Sequence, residues 1–385
     1  MSGFAYPNEL ETQWSLLIVL YPYITGLVAG AFMVSALYHV FGIAKFRPIA
    51  RFSLVTALAF LLVAPLPLLL HLGRPERALE MFLRPNPTSA MSGFGFIWSF
   101  YLLLVIAEVW LVFRRDIVAY ALASHGPKKL LYSVLALGVF DVSEHTLHTD
   151  EKVAKVLAFV GIPSASLLHG YVGFIFGAVK ANPWWSTPLM PLIFLLSAIV
   201  SGMALLLVLY VVVSKLRRTP IDKECVSTLV KWLTGFLVID ITLESLEVLF
   251  MLYESEESWE MISQLITYKL RYTFLGLQLG LGSLVPLLLL GSSGLSWLKE
   301  RWSTSIAFLA ATLILVGVFA MRWNVVIGGQ SFSKSLRGFL TYDPPLLGRE
   351  GILMAGGILV LPLVIFAVLV YFIPPWLQAG ATKEA

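Results

Sequence analysis

One cysteine, Cys225, stands in 385 residues. A lone thiol cannot close an intramolecular disulfide, and it cannot hold an iron–sulfur cluster, which takes four ligands. No CxxCH stretch offers covalent attachment to haem. Charge is also scarce: 13% of residues are Asp, Glu, Lys or Arg, against about 25% in soluble domains. An ordinary soluble enzyme is therefore excluded. The net charge of +4 is spread over short polar segments, so it speaks to membrane topology and not to nucleic acid. Domain linkers and low-complexity tracts are missing too. The first apolar segment has no basic stretch or small-residue cleavage motif before it, which points to a retained helix and not a signal peptide.

Apolar residues make up 58% of the chain, and the mean hydropathy is +0.84. They fall in long continuous runs, unlike the short alternating segments of a β-barrel. The expected fold is an all-α polytopic membrane protein of about ten transmembrane helices, multi-pass in the cytoplasmic (inner) membrane. The spans read as 14–41, 52–71, 92–113, 129–148, 153–180, 188–212, 226–253, 269–291, 303–323 and 350–373. The fourth is the least apolar. Lys45, Arg47 and Arg51, then Arg114, Arg115, Lys128 and Lys129, place the N-terminus outside by the positive-inside rule, but Lys215, Arg217, Arg218 and Lys223 would then dissent. In this reading the ends of the second and fourth spans share one membrane face. Gly26-x-x-x-Gly30, Gly173-x-x-x-Gly177 and Gly276-x-x-x-Gly280 offer small surfaces for helix packing.

Ionisable groups inside apolar spans are the chemical signal. A charge at the bilayer centre costs about 2.5–3.5 kcal/mol on insertion scales, so such groups usually serve a pathway or a polar ligand. His71 ends the second span, with Arg74 just beyond; an imidazole there can bind a quinone carbonyl and pass a proton. Asp141, Glu144, His145 and His148 fall on one stripe if the fourth span is helical, and carboxylates beside imidazoles make a proton relay. Glu108 and His169 lie deeper and are candidates for a proton path. In the seventh span Asp240, Glu244 and Glu247 share a stripe; they read as a further relay, or as salt-bridge partners of Lys269 or Arg271. Arg322 reads as a snorkelling interfacial residue. Two histidines from His39, His71, His145, His148 and His169 would suffice for a b-type haem, which has no short sequence signature. No metal cluster is expected within the chain.

Three segments carry a resemblance: His71-Leu-Gly-Arg-Pro-Glu-Arg77; Leu168-His-Gly-Tyr-Val-Gly-Phe-Ile-Phe-Gly177 with Asn182-Pro-Trp-Trp-Ser-Thr-Pro188; and Arg322-Trp-Asn-Val-Val-Ile-Gly-Gly-Gln330. In this order the chain resembles the NrfD/PsrC-like integral membrane subunits, most of all the DsrP branch, with HybB-type subunits as siblings. The resemblance implies two four-helix bundles, residues 1–150 and 151–291, followed by two additional helices in 292–385. It implies a quinone pocket in the first bundle, with menaquinone or ubiquinone as substrate. It also implies a ferredoxin-like iron–sulfur partner docked near residues 72–91; a DsrP-type protein would add a cytochrome c and further Dsr-type subunits. A secondary transporter with midplane carboxylates, or a passive membrane anchor without a quinone site, are the competing readings.

Overall fold

The computed structural model describes residues 12–254, 258–293, 300–333, 336 and 338–376. It is helical throughout, with a lone antiparallel bridge between Phe332 and Phe339 among the described residues. α1 (Leu16–His39) is apolar on every side and almost wholly buried, as expected of a helix at the centre of a bundle. α2 (Arg47–Val63) continues as α3 (Leu66–His71), the pair broken where Pro65 and Pro67 deny the helix two amide donors. A short α4 (Glu80–Leu83) precedes the long α5 (Ala90–Ala123).

The next segment corrects the sequence reading. Residues 129–148 are not a transmembrane helix. α6 (Gly126–Leu135) is ten residues long and ends at Leu137 and Gly138, whose φ angles of 53° and 71° break it. Asp141 and Ser143 then cap the start of α7 (Glu144–Gly177), with Ser143 Oγ accepting from the Thr146 amide. α7 is thus the fourth crossing, and the expected boundary at 150 falls inside it.

α8 (Met190–Leu216) and α9 (Lys223–Glu254) follow, then a short α10 (Trp259–Gln264). Leu265–Lys269 and Arg271–Leu284 are wound as π-helix and lead into α11 (Val285–Ser293); α12 (Glu300–Val326) and α13 (Ile352–Phe372) complete the described helices. Eight helices among the described residues are long and apolar enough to cross a membrane. α9 is not one of these eight, but residues 226–243 within it are largely apolar, with Lys231 and Asp240 the charged residues among them, and chain connectivity requires it to cross. α8 ends on one face, and the π-helical stretch must start on the other for α12 to finish beside Trp184. With α9 the described residues make nine crossings, in keeping with the expected total of about ten; the part of the reading that fails is the separate span at 129–148.

α1, α2–α3, α5 and α7 pack as one group of four. α8, α9, the π-helical stretch with α11, and α12 pack as a second, and the groups meet at α1, α7 and α8. α13 leans on α2 as a single extra helix, where the sequence suggested two. The α1–α8 seam depends on Gly30 and Gly202, where a Cβ on either would strike the other's backbone. Gly173 and Gly177 similarly accept α8 and the turn before it, whereas Gly276 has open space; the small-residue contact on the π-helical stretch is Gly282 against Gly317 instead.

The nine-crossing order also resolves the dissenting charges. Lys45, Arg47, Lys128, Lys129, Lys215, Arg217, Arg218 and Lys223 now share one face. The other face carries His71, Trp14, Trp185 and the 328–351 segment. It is knitted together by Trp14 N donating to Gln330 Oε1 (2.9 Å), Leu16 N donating to the Tyr342 hydroxyl (2.7 Å), and Trp14 stacked on Trp185 at 5.0 Å.

Candidate functional site

His71 lies at the last turn of α3, half-buried at the edge of its face. Its Nδ1 is 2.9 Å from Glu350 Oε1. Arg349, one residue earlier, donates to the carbonyls of Leu69 and Leu72 and so holds the frayed end of α3. Gly348 makes the turn possible at φ 104°, in the left-handed region that favours glycine. The acid–imidazole pair is therefore assembled from residues 279 apart in sequence. Arg74 lies nearby in the chain and is exposed.

The proposed partners of His71 are elsewhere. Asp141, Glu144, His145 and His148 are all exposed and lie beyond the far end of α5, on the face opposite His71. They do not share a helical stripe, because Asp141 precedes α7. Its carboxylate accepts from Ser143 N (2.9 Å) and Thr146 Oγ1 (2.6 Å), which holds its pKa below the usual carboxylate range. Beside it Arg114 forms a two-pronged bond to the buried Asp150, at 2.8 and 2.9 Å, and also donates to the Asp141 carbonyl.

Glu108 is fully buried on α5, and neither carboxyl oxygen has a partner among the described residues. The Tyr101 hydroxyl, Ser35 Oγ and His39 Nε2 are likewise buried and unpartnered among them. They stand in successive layers. Phe32 meets Tyr101 ring to ring at 5.5 Å; Ser35 and Glu108 each follow about one turn or two nearer the basic face; His39 then lies close enough to Arg51 to interact electrostatically.

A second polar group is built by α7, α8, α9, the π-helical stretch and α12. Arg322 is completely buried and does not snorkel. It reaches Ser197 Oγ at 2.6 Å and His169 Nε2 at 3.0 Å, and lies 3.9 Å over the Phe194 ring. Because a guanidinium only donates, His169 accepts at Nε2 and carries its proton on Nδ1. Gly26 leaves room for this imidazole; a Cβ there would sit 3.1 Å from His169 Cε1. Asn324 Nδ2 donates to Gln278 Oε1 (2.7 Å), and Gln278 Nε2 donates to Glu244 Oε2 (3.1 Å). Glu244 thus bonds an amide and, among the described residues, neither Lys269 nor Arg271. Asp240 is buried on the same helix, and Glu247 lines the same cavity as Glu244.

The motifs that carry the resemblance turn out to hold one another. Trp184 and Trp185 donate their indole N–H groups to the carbonyls of Asn324 (3.0 Å) and Val325 (2.6 Å), and Asn182 Nδ2 donates to Gly329 O (2.7 Å). Gly329 is needed because a Cβ there would enter the Trp185 ring. The Asn-Pro-Trp-Trp turn is thus a lock on the end of α12. The family described as "Polysulphide reductase, NrfD" matches residues 7–334, which include both halves of this lock.

The chain belongs to the NrfD family. A selenate reductase subunit from Mesobacillus selenatarsenatis is 31% identical over 378 residues, covering 94% of this chain and 86% of the relative. A putative dimethyl sulfoxide reductase membrane subunit from Halobacterium salinarum is 29% identical, covering 82% and 69%. An Hdr-like menaquinol oxidoreductase integral membrane subunit from Archaeoglobus fulgidus is 24% identical, covering 84% and 72%. The NrfD match stops before Arg349 and Glu350, so the groups that hold His71 lie past it. Sequence reasoning named His71 but missed Glu350, Gln278 and Asn324. Asn324 sits inside a quoted motif and was legible there; Glu350 had no signal, because its partner is set only by folding.

Proposed function

We propose that this NrfD-family protein is the quinone-reacting membrane subunit of a multi-subunit oxidoreductase. The observation that carries the reading is the His71–Glu350 pair at the mouth of α3. With Nδ1 held by Glu350, the imidazole can present Nε2 to a quinone oxygen and exchange a proton through its other nitrogen. Arg74 would orient the headgroup or meet the partner. The menaquinol oxidoreductase relative supports a quinone as the substrate class, menaquinone or ubiquinone. Since this chain has one cysteine, electrons would pass to an iron–sulfur partner docked on the His71 face, near residues 72–91. The concentration of Lys and Arg on the other face supports a cytoplasmic location for that face and an outer one for His71.

Asp141, Glu144, His145 and His148 would then collect protons at the cytoplasmic surface, not touch the quinone. Glu108, with Tyr101, Ser35 and His39, would carry protons through the first helix group by way of bound water. His169, Asp240, Glu244 and Glu247 would hold exchangeable protons in the second. In the assembled complex, His71→Ala and Glu350→Gln are expected to cut quinol-dependent reduction by about a hundredfold, the typical worth of a positioned acid–base group, with direct electron donation to the partner untouched. Unchanged quinol activity in both variants would leave a passive anchor. A reduced-minus-oxidised spectrum of the isolated protein is expected to lack a haem α-band; a band there would bring a b-type haem into the chain.

A further inference from the structure

The cavity between α9, the π-helical stretch and α12 measures about 40 Å³ and is lined by Trp184, Glu244, Glu247, Gln278, Met321 and Asn324 among others. That is room for a small ion and a water. Its polar lining is lopsided. Asn324 is 1% exposed and its Oδ1 has no partner among the described residues; Glu247 Oε1 is buried and has none either. Both are acceptors. The Asn324 and Gln278 amides point their donors along the chain of bonds towards Glu244, and the Thr187 hydroxyl faces the Glu247 carboxyl, which still leaves Asn324 Oδ1 and Glu247 Oε1 without a donor among the described residues. A buried acceptor without a donor costs about 1–3 kcal/mol, so such atoms mark a missing positive or donating group.

Charge argues in the same direction. Asp240, Glu244 and Glu247 bring three carboxyls on α9, and the buried Arg322 faces Asp240 and Glu244. Arg322 makes no carboxylate contact within ion-pair distance among the described residues; it bonds Ser197 and His169. His169 accepts from it and is neutral, and Tyr23 is a further uncharged neighbour of Arg322. Ionised, the group would carry an excess of negative charge in an apolar setting, which is unsustainable without a counter-ion.

We infer that this cavity binds a monovalent metal cation, sodium, through Glu244, Glu247 and Asn324 Oδ1, in competition with the protons those carboxyls hold. The inference deepens the reading of the α9 carboxylates as proton-holding groups and is independent of the quinone site. Arg322 tunes the site as a positioning residue: it removes one unit of negative charge without filling the cavity, which favours a monovalent over a divalent occupant.

The test is labelling of the full-length detergent-purified protein with dicyclohexylcarbodiimide, which adds to protonated carboxyls in apolar surroundings, mapped by mass spectrometry. Label is expected on Glu244 or Glu247, at a rate that falls as pH rises. Protection by sodium chloride but not choline chloride supports the sodium site; pH dependence with no sodium effect leaves only the proton-holding role and overturns the inference. Asn324→Leu, which removes the unpartnered acceptor, is expected to shift the protecting cation concentration by about tenfold, as for one lost charge-assisted contact. No label on either residue while Glu108 reacts, no label at all, or labelling indifferent to both pH and sodium overturns the inference. Quinol oxidation measured on the same preparations, with His71→Ala alongside, separates failure here from failure of the quinone reading.

Discussion

Among single residues, burial decides what a charged side chain does. Arg114 and Asp150 are almost fully enclosed and satisfy each other with two bonds. Removing one partner strands a buried charge, so Arg114→Ala is expected to destabilise by about 3–5 kcal/mol in a detergent unfolding titration, whereas Arg114→Met with Asp150→Leu recovers most of it. Asp141 behaves differently because it is exposed. Its carboxylate caps α7 and its pKa is lowered mainly by Thr146 and Ser143. The contribution is therefore present above the ordinary carboxylate range and is lost as pH falls through the lowered pKa. Hydrogen exchange at the first turn of α7 is expected to be faster in Asp141→Asn at neutral pH and to converge with the parent in acid. The residue types alone announced which side chains were unusual. They did not announce partners: His71 with Glu350, or Arg322 with His169 and Ser197, are contacts between residues more than a hundred positions apart.

Among helices, small residues matter where backbones cross. Gly30 and Gly202 touch, so Gly30→Leu is expected to abolish recovery of monodisperse protein, since α1 and α8 cannot then approach. Gly276→Leu is expected to be tolerated, because nothing lies within 4 Å of its Cβ position. The two sites look alike as GxxxG patterns. What separates them is which side of the helix faces a neighbour, and the i+5 winding of the π-helical stretch changes that side from the one a regular helix predicts. The false fourth span has a local cause as well. The apolar stretch 130–140 reads as half a membrane helix, but the left-handed pair Leu137–Gly138 stops α6, and the chain crosses only after the Ser143 cap.

For the molecule as a whole, that one correction moves everything after it to the opposite side. Nine crossings put residue 124 and residue 219 on one face and residue 88 on the other; ten would split 124 from 219. In a Cys225→Ser background, cysteines at Ser124 and Thr219 are expected to react with an impermeant thiol reagent from the same side, and a cysteine at Thr88 from the opposite side. Labelling of the Ser124 and Thr219 positions from different sides would restore the ten-span arrangement. The same reversal takes Asp141, Glu144, His145 and His148 away from the face that carries His71.

Hydropathy, cysteine count and motif order belong to the chain and can be read without neighbours. They sufficed to establish an all-α membrane protein of the NrfD family that lacks the cysteines for an iron–sulfur cluster of its own. The number of crossings, the partner of His71, the burial of Arg322 and the pocket at Glu244 had to wait for the folded molecule. Each depends on which distant helices meet, and an exposed carboxylate and a buried one look the same until the surrounding packing removes water from the second.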